Sequence, residues 1–397
     1  MKLQSGQRIV VDQSYKGAHS DARNRLPQII AETRLERWGC SHGGYRRTLQ
    51  LREIVAKAGI EAMEVEAPAP ASNLSYYCKG LKFLFRAGLA SRCSLSLIRR
   101  HGIVVARLAH GLARHNGEKV LIWEFTHRNE QAVPFLARMF GYAIVAIPHN
   151  IEALVPTEAP LLRGLNGGQF GDEARAFRAV NSIFTISREE QWFLAFYGLP
   201  SFHLPYFPAV KIATQFFSVR ARRRGVKPKR LLILGHAGYP PTRAGMEELI
   251  RILLGSPGGA SLPVDVAGFE TECLQPLVEQ TGYCVHGSVS DARLEELVQN
   301  ARAVLVHQPA GAGALTRIPE MLIAGVPVIA NSIAARSYAH LDGVHVYETP
   351  AELVQLLKRA FVEPDLPERP IAAETRLVDT LRQCILLQRQ AKLNTSM

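Results

Sequence analysis

Residues 303 to 330 read AVLVHQPAGAGALTRIPEMLIAGVPVIA, and this stretch decides the fold. Its opening apolar run predicts a buried strand, Gly311 and Gly313 predict a turn, and Ile318 to Ala324 has helical spacing. Val326 to Ala330 predicts a second buried strand. A strand, a loop, a helix and a further strand form one repeating unit of a parallel sheet that helices cover on both faces.

Similar units recur along the whole chain. The predicted strands are Arg8 to Asp12, Gln28 to Glu32, Glu61 to Val65, Lys119 to Trp123, Ala143 to Ile147, Ser182 to Ile186, Ser201 to Leu204, Arg230 to Leu234, Val264 to Ala267, Tyr283 to His286, Ala303 to Val306 and Val326 to Ala330. Helical patterns lie between them. The sequence therefore predicts an α/β protein of two Rossmann-like, doubly wound domains whose carboxyl strand ends face a shared cleft.

Charge indicates where the two domains divide. The 397 residues carry a formal net charge of +12, and residues 211 to 230 contain eight Lys or Arg and no Asp or Glu. That segment has no sustained apolar period, so we interpret it as a connector. The predicted organisation is a first domain over 1–210, a basic linker over 211–229, a second domain over 230–370 and a terminal helix over 371–397. That helix packs either on its own domain or back toward the first.

Composition disfavours several classes of protein. The six cysteines include no Cys-x-x-Cys pair, which argues against a zinc site or a disulfide framework. No apolar window reaches the roughly 18 residues of a membrane helix, and the N-terminus lacks the apolar core of a secretion signal. We therefore expect a cytoplasmic protein with an anionic partner.

Residues 76 to 119 hold most of the remaining positive charge. They contain nine Lys or Arg and a single acid, Glu118, with Phe and Leu interleaved. Such a helix can lie in an anionic membrane interface, which would make the protein peripheral to the inner face of the membrane. A solvated basic face over an ordinary core helix explains the pattern equally well. Nucleic acid is a weaker interpretation, because no recognised binding motif accompanies the charge.

The stretch from Gly311 to Glu320 has the residue types of a nucleotide-diphosphate site. Glycines let backbone N–H groups approach an anion, and Arg317 can clamp a diphosphate with two hydrogen bonds. Glu320 lies one helical turn later on the same face, where it can accept both ribose hydroxyls. The ordinary alternative is a turn followed by a surface Arg and Glu.

RIPEMLIAGVPVIA resembles the donor-site segment of nucleotide-sugar glycosyltransferases with the GT-B fold, in particular the retaining family 4 type. In that family a glycine turn, a basic residue and a helical Glu precede G-x-P-V and a strand. The family has two glutamates eight positions apart. Glu320 fills the second place here, but Ala312 stands in the first, which leaves open a changed donor or a lost activity.

Further segments extend the resemblance over most of the chain. SHGGYR at 41–46 resembles the glycine loop of the first domain, AIVAIPHNIE at 143–152 resembles the segment that ends in a cleft histidine, and RLLILGHAGYPPTRAG at 230–245 resembles the opening of the donor domain. The resemblance implies His149, Arg317 and Glu320 as catalytic residues. It implies as donor-binding residues Gly43, Gly44, Gly238, Arg243, Gly268, Val289, Gly311, Ala312 and Gly313. Taken singly, His149 fits a core or loop histidine as well, and Arg243 fits a solvated side chain.

Ser187 is predicted to cap the helix that begins at Arg188, with Glu189 and Glu190 as partners of its dipole rather than as catalytic acids.

The resulting hypothesis is a glycosyltransferase that moves a sugar from a nucleotide-diphosphate donor to a glycan or lipid-linked acceptor in bacterial surface polysaccharide synthesis. No Asp-x-Asp occurs, and the resemblance implies fixed cations in place of a metal, with no cofactor beyond the donor itself. Two alternatives keep the fold: a nucleotide-sugar epimerase, and a catalytically silent binding protein, which the alanine at 312 would explain. A dehydrogenase is disfavoured because neither half contains G-x-G-x-x-G with a following acid.

Overall fold

The structure is a computed structural model. It describes residues 26–32, 43–64, 72–86, 95–124, 130–155, 167–226 and 228–395, and the structural statements below concern those residues. The predicted strand from Arg8 to Asp12 lies outside them, as do Ser41 and His42 of the first glycine loop.

The first sheet contains six parallel strands in the order β2-β1-β3-β4-β5-β6. They are β1 (Gln28–Glu32), β2 (Glu61–Glu64), β3 (Val120–Trp123), β4 (Ala143–Ala146), β5 (Ser182–Thr185) and β6 (Phe202–His203). The helices are α1 (Gly43–Lys57), α2 (Asn73–Arg86), α3 (Leu95–Arg114), α4 (Val133–Met139), α5 (Gly167–Arg178) and α6 (Arg188–Phe196). Every residue of β3 and β4 is buried, because helices cover both faces of the sheet at its centre.

The second sheet is also parallel and has six strands in the order β12-β11-β10-β7-β8-β9. They are β7 (Arg230–Leu234), β8 (Val264–Ala267), β9 (Tyr283–Gly287), β10 (Ala301–Val306), β11 (Val328–Asn331) and β12 (Val344–Tyr347). Its helices are α8 (Pro240–Leu254), α9 (Asp291–Asn300), α10 (Arg317–Ile323), α11 (Ser332–Ala335) and α12 (Pro350–Leu357). The predicted class, two Rossmann-like doubly wound domains, is confirmed.

The segment that we interpreted as a connector is largely helical. Helix α7 (Val210–Arg223) buries Ala213, Phe216 and Val219 in the core of the second domain. Nη1 of Arg223 donates to three backbone carbonyl oxygens around the start of β10, each at 2.8 Å. These apolar residues recur every three positions, which is enough for one buried helical stripe even among many cations.

The last helix, α13 (Ile371–Thr395), returns to the first domain. Its Leu377, Leu381 and Ile385 are buried in the same cluster as residues of α1, β3 and β4. The chain therefore crosses between the domains twice, once before α7 and once before α13.

The carboxyl edges of the two sheets face each other. The loop after β4 contains Asn150, and the loop after β10 contains Gly313. A Cβ atom placed on Gly313 would lie 2.1 Å from Oδ1 of Asn150, so the two loops are in direct contact. Open α/β sheets bind ligands at this edge, and the residues discussed next lie there.

Candidate active site

A buried carboxylate of the second domain, that of Glu320 on α10, is held by residues of the first. Its Oε1 accepts a 2.6 Å hydrogen bond from the hydroxyl of Tyr206, which follows β6, and lies 3.8 Å from Nη1 of Arg46 on α1. Burial raises the pKa of Glu320, while Arg46 and the Tyr206 hydrogen bond oppose that rise. Burial and the neighbouring carboxylate raise the pKa of Tyr206, so the phenol remains the hydrogen-bond donor.

Arg46 enters the cluster from the first turn of α1. Its guanidinium packs 6.0 Å from the ring centroid of Phe216, and the side chain is 13% exposed. Nη1 is buried and makes no hydrogen bond to any described residue, because 3.8 Å to Glu320 is too long for one. The cluster thus contains a charged donor that a bound anion can satisfy.

Arg317, the first residue of α10, points to the carboxyl end of β7. Its Nη1 donates to the carbonyl oxygen of Leu234, and a Cβ on Gly235 would lie 3.1 Å from the same nitrogen. Burial lowers the pKa of Arg317 to about 10, opposed by the charge of Glu320, so the guanidinium stays charged at neutral pH.

The start of α1 meets the segment before α10. A Cβ on Gly43 would lie 3.0 Å from Oγ1 of Thr316. Gly43 and Gly44 begin a 15-residue helix, and the first N–H groups of a helix have no partner within the helix itself. The structure therefore brings together Gly43, Arg46, Arg317 and Glu320 from the two domains.

His149 lies in a second polar group on the first domain. Its Nε2 is 3.3 Å from Oε2 of Glu124, the residue after β3, and the same oxygen accepts a 2.6 Å hydrogen bond from Thr48 on α1. Glu124 is only 1% exposed. Glu124 and Thr48 were not expected from the sequence, although an acid directly after a buried strand, at a carboxyl edge, is a signal that could have found Glu124.

Glu190 does more in this region than interact with the dipole of α6. Ser187 caps α6 as predicted, accepting from the Glu190 N–H. The Glu190 carboxylate is buried, however, and its Oε1 accepts a 2.8 Å hydrogen bond from the N–H of Ile151. Burial raises the pKa of Glu190 to about 7, opposed mainly by the Ile151 N–H and the Ser187 hydroxyl and also by the Arg336 guanidinium and the Gly313 backbone.

Arg336, just after α11, shapes the glycine loop. Its Nη2 donates to the carbonyl oxygens of Ala312 and Gly313 at 2.7 and 2.6 Å. Gly313 has φ +71°, a conformation that favours glycine, whereas Gly311 packs beside the amide of Gln308. The carbonyl groups of this loop are therefore fixed by an arginine that the sequence did not single out.

The remaining predicted donor residues all belong to the second domain. Arg243 is half exposed on α8, where its Nε pairs with Glu247 at 2.8 Å. A Cβ on Gly268 would lie 1.8 Å from the Gly235 carbonyl oxygen, and one on Gly238 would lie 2.3 Å from a carboxylate oxygen of Glu270. Val289 packs partly against the core of the second domain. Their roles in donor binding stay predictions.

Among the residues that the structure describes, no three His, Cys, Asp or Glu side chains are grouped so as to hold a metal ion. No described helix is long and apolar enough to span a membrane.

No family model matches the chain, and no curated protein matches it in sequence. Solved structures do match over nearly the full length. The α,α-trehalose 6-phosphate synthase from Burkholderia multivorans superposes with a TM-score of 0.59 at 12% identity, over 94% of this chain and 98% of that chain. Sucrose-phosphate synthase from Thermosynechococcus elongatus gives 0.59 at 11% identity, over 94% and 100%. HepE from Anabaena in complex with UDP-glucose gives 0.56 at 12% identity, over 94% and 100%. At these identities the likeness concerns the fold, and the chain has the two-domain GT-B fold.

Proposed function

We propose that this protein is a glycosyltransferase that moves a hexosyl group from a nucleotide-diphosphate donor to an acceptor hydroxyl. The observation that carries the proposal is the buried, unsatisfied Nη1 of Arg46, which lies beside Glu320 where the two carboxyl edges meet. That is the place where open α/β sheets bind ligands. HepE structures with this fold contain UDP or UDP-glucose, which supports a nucleotide sugar as the donor here.

In this proposal the diphosphate lies against the N-terminus of α1. The N–H groups of Gly43 and Gly44 and the helix dipole favour an anion there. Arg46 and Arg317 contribute two positive charges, and Glu320 accepts from the ribose hydroxyls. These groups are fixed before the donor arrives, so they can stabilise the charge that develops on the leaving diphosphate at little reorganisation cost.

The sugar would lie on the first-domain side of the diphosphate, near His149. Glu124 accepts from the His149 Nε2–H, which orients the imidazole, and Thr48 holds Glu124 in turn. By analogy with the resembling family, the reaction keeps the anomeric configuration, and a phosphate oxygen of the leaving group takes the proton of the acceptor hydroxyl. We propose that the guanidinium groups of Arg46 and Arg317 replace a metal ion in this step.

The proposed acceptor is a glycan or a lipid-linked sugar of a cell-surface polysaccharide, bound by the first domain on the cytoplasmic side of the membrane. The basic character of residues 76 to 119 supports an acceptor that is presented at an anionic surface.

The decisive test is turnover of nucleotide sugars by an Arg317→Ala variant. We expect turnover to fall by about 100-fold or more, because a charge placed at the leaving group contributes several kcal/mol to catalysis. Arg251→Ala is the matched control, since Arg251 is an exposed guanidinium on α8 paired with Glu247. Equal turnover by both variants would remove Arg317 from the mechanism. Activity that is lost in excess chelator and restored by Mg²⁺ would contradict the proposed metal independence.

A catalytically silent GT-B protein is the second candidate. It is favoured by Ala312, whose carbonyl oxygen is held by Arg336 and whose methyl group supplies no carboxylate to the donor. Binding of a nucleotide without turnover on any acceptor would support this second candidate.

A further inference from the structure

Helix α2 exposes a stripe of apolar side chains on the side away from the core. Leu74, Leu81 and Phe85 are 73%, 44% and 68% exposed, and Cys78 lies exposed between them. Residues separated by 4, 7 and 11 positions occupy one face of a helix. The opposite face buries Tyr76, Gly80, Phe83 and Leu84 in the protein. The stripe is therefore additional to the face that the fold requires.

Positive charge runs beside the stripe. Lys79, Lys82 and Arg86 are exposed and lie about 80° to 140° round the helix from Leu74, at 100° per residue. Helix α2 contains three Lys or Arg and helix α3 contains four, and neither helix contains an Asp or a Glu. Leu95, the first residue of α3, is another exposed apolar side chain, at 72%.

A tight helix crossing fixes the orientation of the stripe. A Cβ on Gly80 would lie 2.0 Å from the carbonyl oxygen of Ile98, and a Cβ on Gly102 would lie 1.8 Å from that of Tyr76. The two backbones are thus in contact at the crossing. Helix α2 cannot rotate to bury its apolar stripe without losing this contact.

The helix pair extends away from the amino edge of the first sheet. Helix α3 ends at the amino edge of the first sheet, where His115 Nδ1 is 3.0 Å from the hydroxyl of Tyr142, the residue before β4. Twenty residues of helix rise about 30 Å. Leu95 therefore lies about 30 Å along the helix from that edge, and the start of α2 lies beside it, because Arg99 Nε donates to Asn73 Oδ1 at 2.8 Å.

We propose that this surface, formed by Leu74, Leu81, Phe85, Lys79, Lys82 and Arg86, binds the anionic face of a lipid bilayer. Helix α2 would lie in the membrane plane with its Leu and Phe side chains at the acyl boundary and its cations among the headgroups. Apolar and cationic residues side by side on one helix fit an interface that is apolar within and anionic at its rim. Nucleic acid would attract the cations but would leave the apolar stripe in water.

The proposal deepens the proposed function by naming where a lipid-linked acceptor meets the protein, but membrane binding does not depend on sugar transfer. The test therefore uses the full chain without nucleotide, sedimented with vesicles of phosphatidylcholine alone or with 30 mol% phosphatidylglycerol. We expect binding to the anionic vesicles that weakens as salt rises.

Two variants separate the apolar from the electrostatic contribution. Lys79→Gln/Lys82→Gln/Arg86→Gln should lower the partition coefficient on anionic vesicles by about 100-fold. Leu74→Ser/Leu81→Ser/Phe85→Ser should lower it by about 10-fold or more. The matched controls, Lys211→Gln/Lys358→Gln/Arg359→Gln and Leu386→Ser/Leu387→Ser, alter exposed residues elsewhere and should bind like the unchanged chain.

Three outcomes would overturn the proposal. The first is failure of the unchanged chain to bind anionic vesicles, and the second is a loss of binding by the charge controls as large as that of the α2 charge variant. The third is binding by the serine variant equal to that of the unchanged chain while the glutamine variant does not bind, which would indicate a purely electrostatic surface such as one for nucleic acid. Thermal unfolding of each variant verifies that it is folded. Nucleotide binding by the serine variant, measured without lipid, tests the proposed function separately.

Discussion

Gly43, at the start of α1, and Thr316, immediately before α10, approach each other so closely that a Cβ on residue 43 would lie 3.0 Å from Thr316 Oγ1. The two residues belong to different domains. The absence of a side chain at residue 43 therefore permits the two domains to approach this closely at the candidate active site.

Gly43→Ala should weaken nucleotide binding by about 10-fold, because the added methyl group and Thr316 must move apart and the diphosphate loses its close approach to the helix start. The Thr316 side chain makes no capping hydrogen bond, so Thr316→Ala alone should change little. The double variant Gly43→Ala/Thr316→Ala should recover most of the affinity in a titration with nucleotide. Equal affinities for all four proteins would show that this contact does not control the site.

Variants of Glu320 and Tyr206 separate the effect of their hydrogen bond on stability from the effect of the Glu320 carboxylate on nucleotide binding. Glu320→Ala leaves the buried Tyr206 hydroxyl without its acceptor, which should lower the free energy of unfolding by about 1 to 3 kcal/mol, and it should also weaken nucleotide binding. Tyr206→Phe removes the same hydrogen bond but keeps the carboxylate. It should lower stability in denaturant melts while nucleotide affinity is largely kept. Indistinguishable affinities for the two variants would mean that Glu320 holds the domains together and does not touch the ligand.

Glu190 predicts a specific pH dependence of stability. Burial raises its pKa in the folded protein to about 7 from the ordinary value of 4.5, so folding favours the protonated carboxyl. Its contribution is fully present below pH 4.5 and is lost as the pH rises to 7. The shift corresponds to roughly 3 kcal/mol at 1.36 kcal/mol per pKa unit.

Glu190→Gln keeps an acceptor for the Ile151 N–H but cannot ionise. Denaturant melts from pH 5 to 8 should therefore show the unchanged protein losing stability relative to this variant as the pH rises. Glu189→Gln is the control, because Glu189 is the neighbouring residue. Parallel stability curves for the unchanged protein and Glu190→Gln would contradict the buried, protonated carboxyl.

The sequence was sufficient to predict the two parallel sheets and most of their strands. Central strands such as β3 and β4 are buried on both faces and so read as continuous apolar runs. Strand β12 was missed because its sequence, VHVY, is a short edge strand with half-exposed residues that have no such signal.

The site was harder to predict, because its contacts join residues far apart in the chain. Tyr206 and Glu320 are 114 positions apart, and Thr48 and Glu124 are 76 apart. Arg317 and Glu320 were found since they share one helical turn beside a glycine loop. Arg46 ends the quoted glycine-loop segment and Glu190 was assigned to a helix dipole, but nothing local to either residue, or to Arg336, indicates its contacts across the site.

The crossing of α2 and α3 yields a stability prediction. Gly102→Ala places a methyl group where the Tyr76 carbonyl already lies, so the helices must separate, and the free energy of unfolding should fall by about 1 to 3 kcal/mol or more. Gly171→Ala on α5 is the matched control, because nothing lies within 4 Å of its Cβ position. It should be neutral or stabilise by up to about 1 kcal/mol in the same melts. A similar change for both variants would contradict the tight crossing.

The central claim, that the gap between the domains binds a nucleotide diphosphate through Arg46 and Arg317, is tested most directly by thermal unfolding with UDP-, GDP- and dTDP-sugars. At a concentration 100 times its dissociation constant, a ligand adds about 2.7 kcal/mol to the stability of the folded state. We predict that one donor class stabilises the unchanged protein and the Arg251→Ala control, and that Arg46→Ala and Arg317→Ala respond far less. No stabilisation by any nucleotide sugar at millimolar concentration, or equal stabilisation of all four proteins, would contradict it.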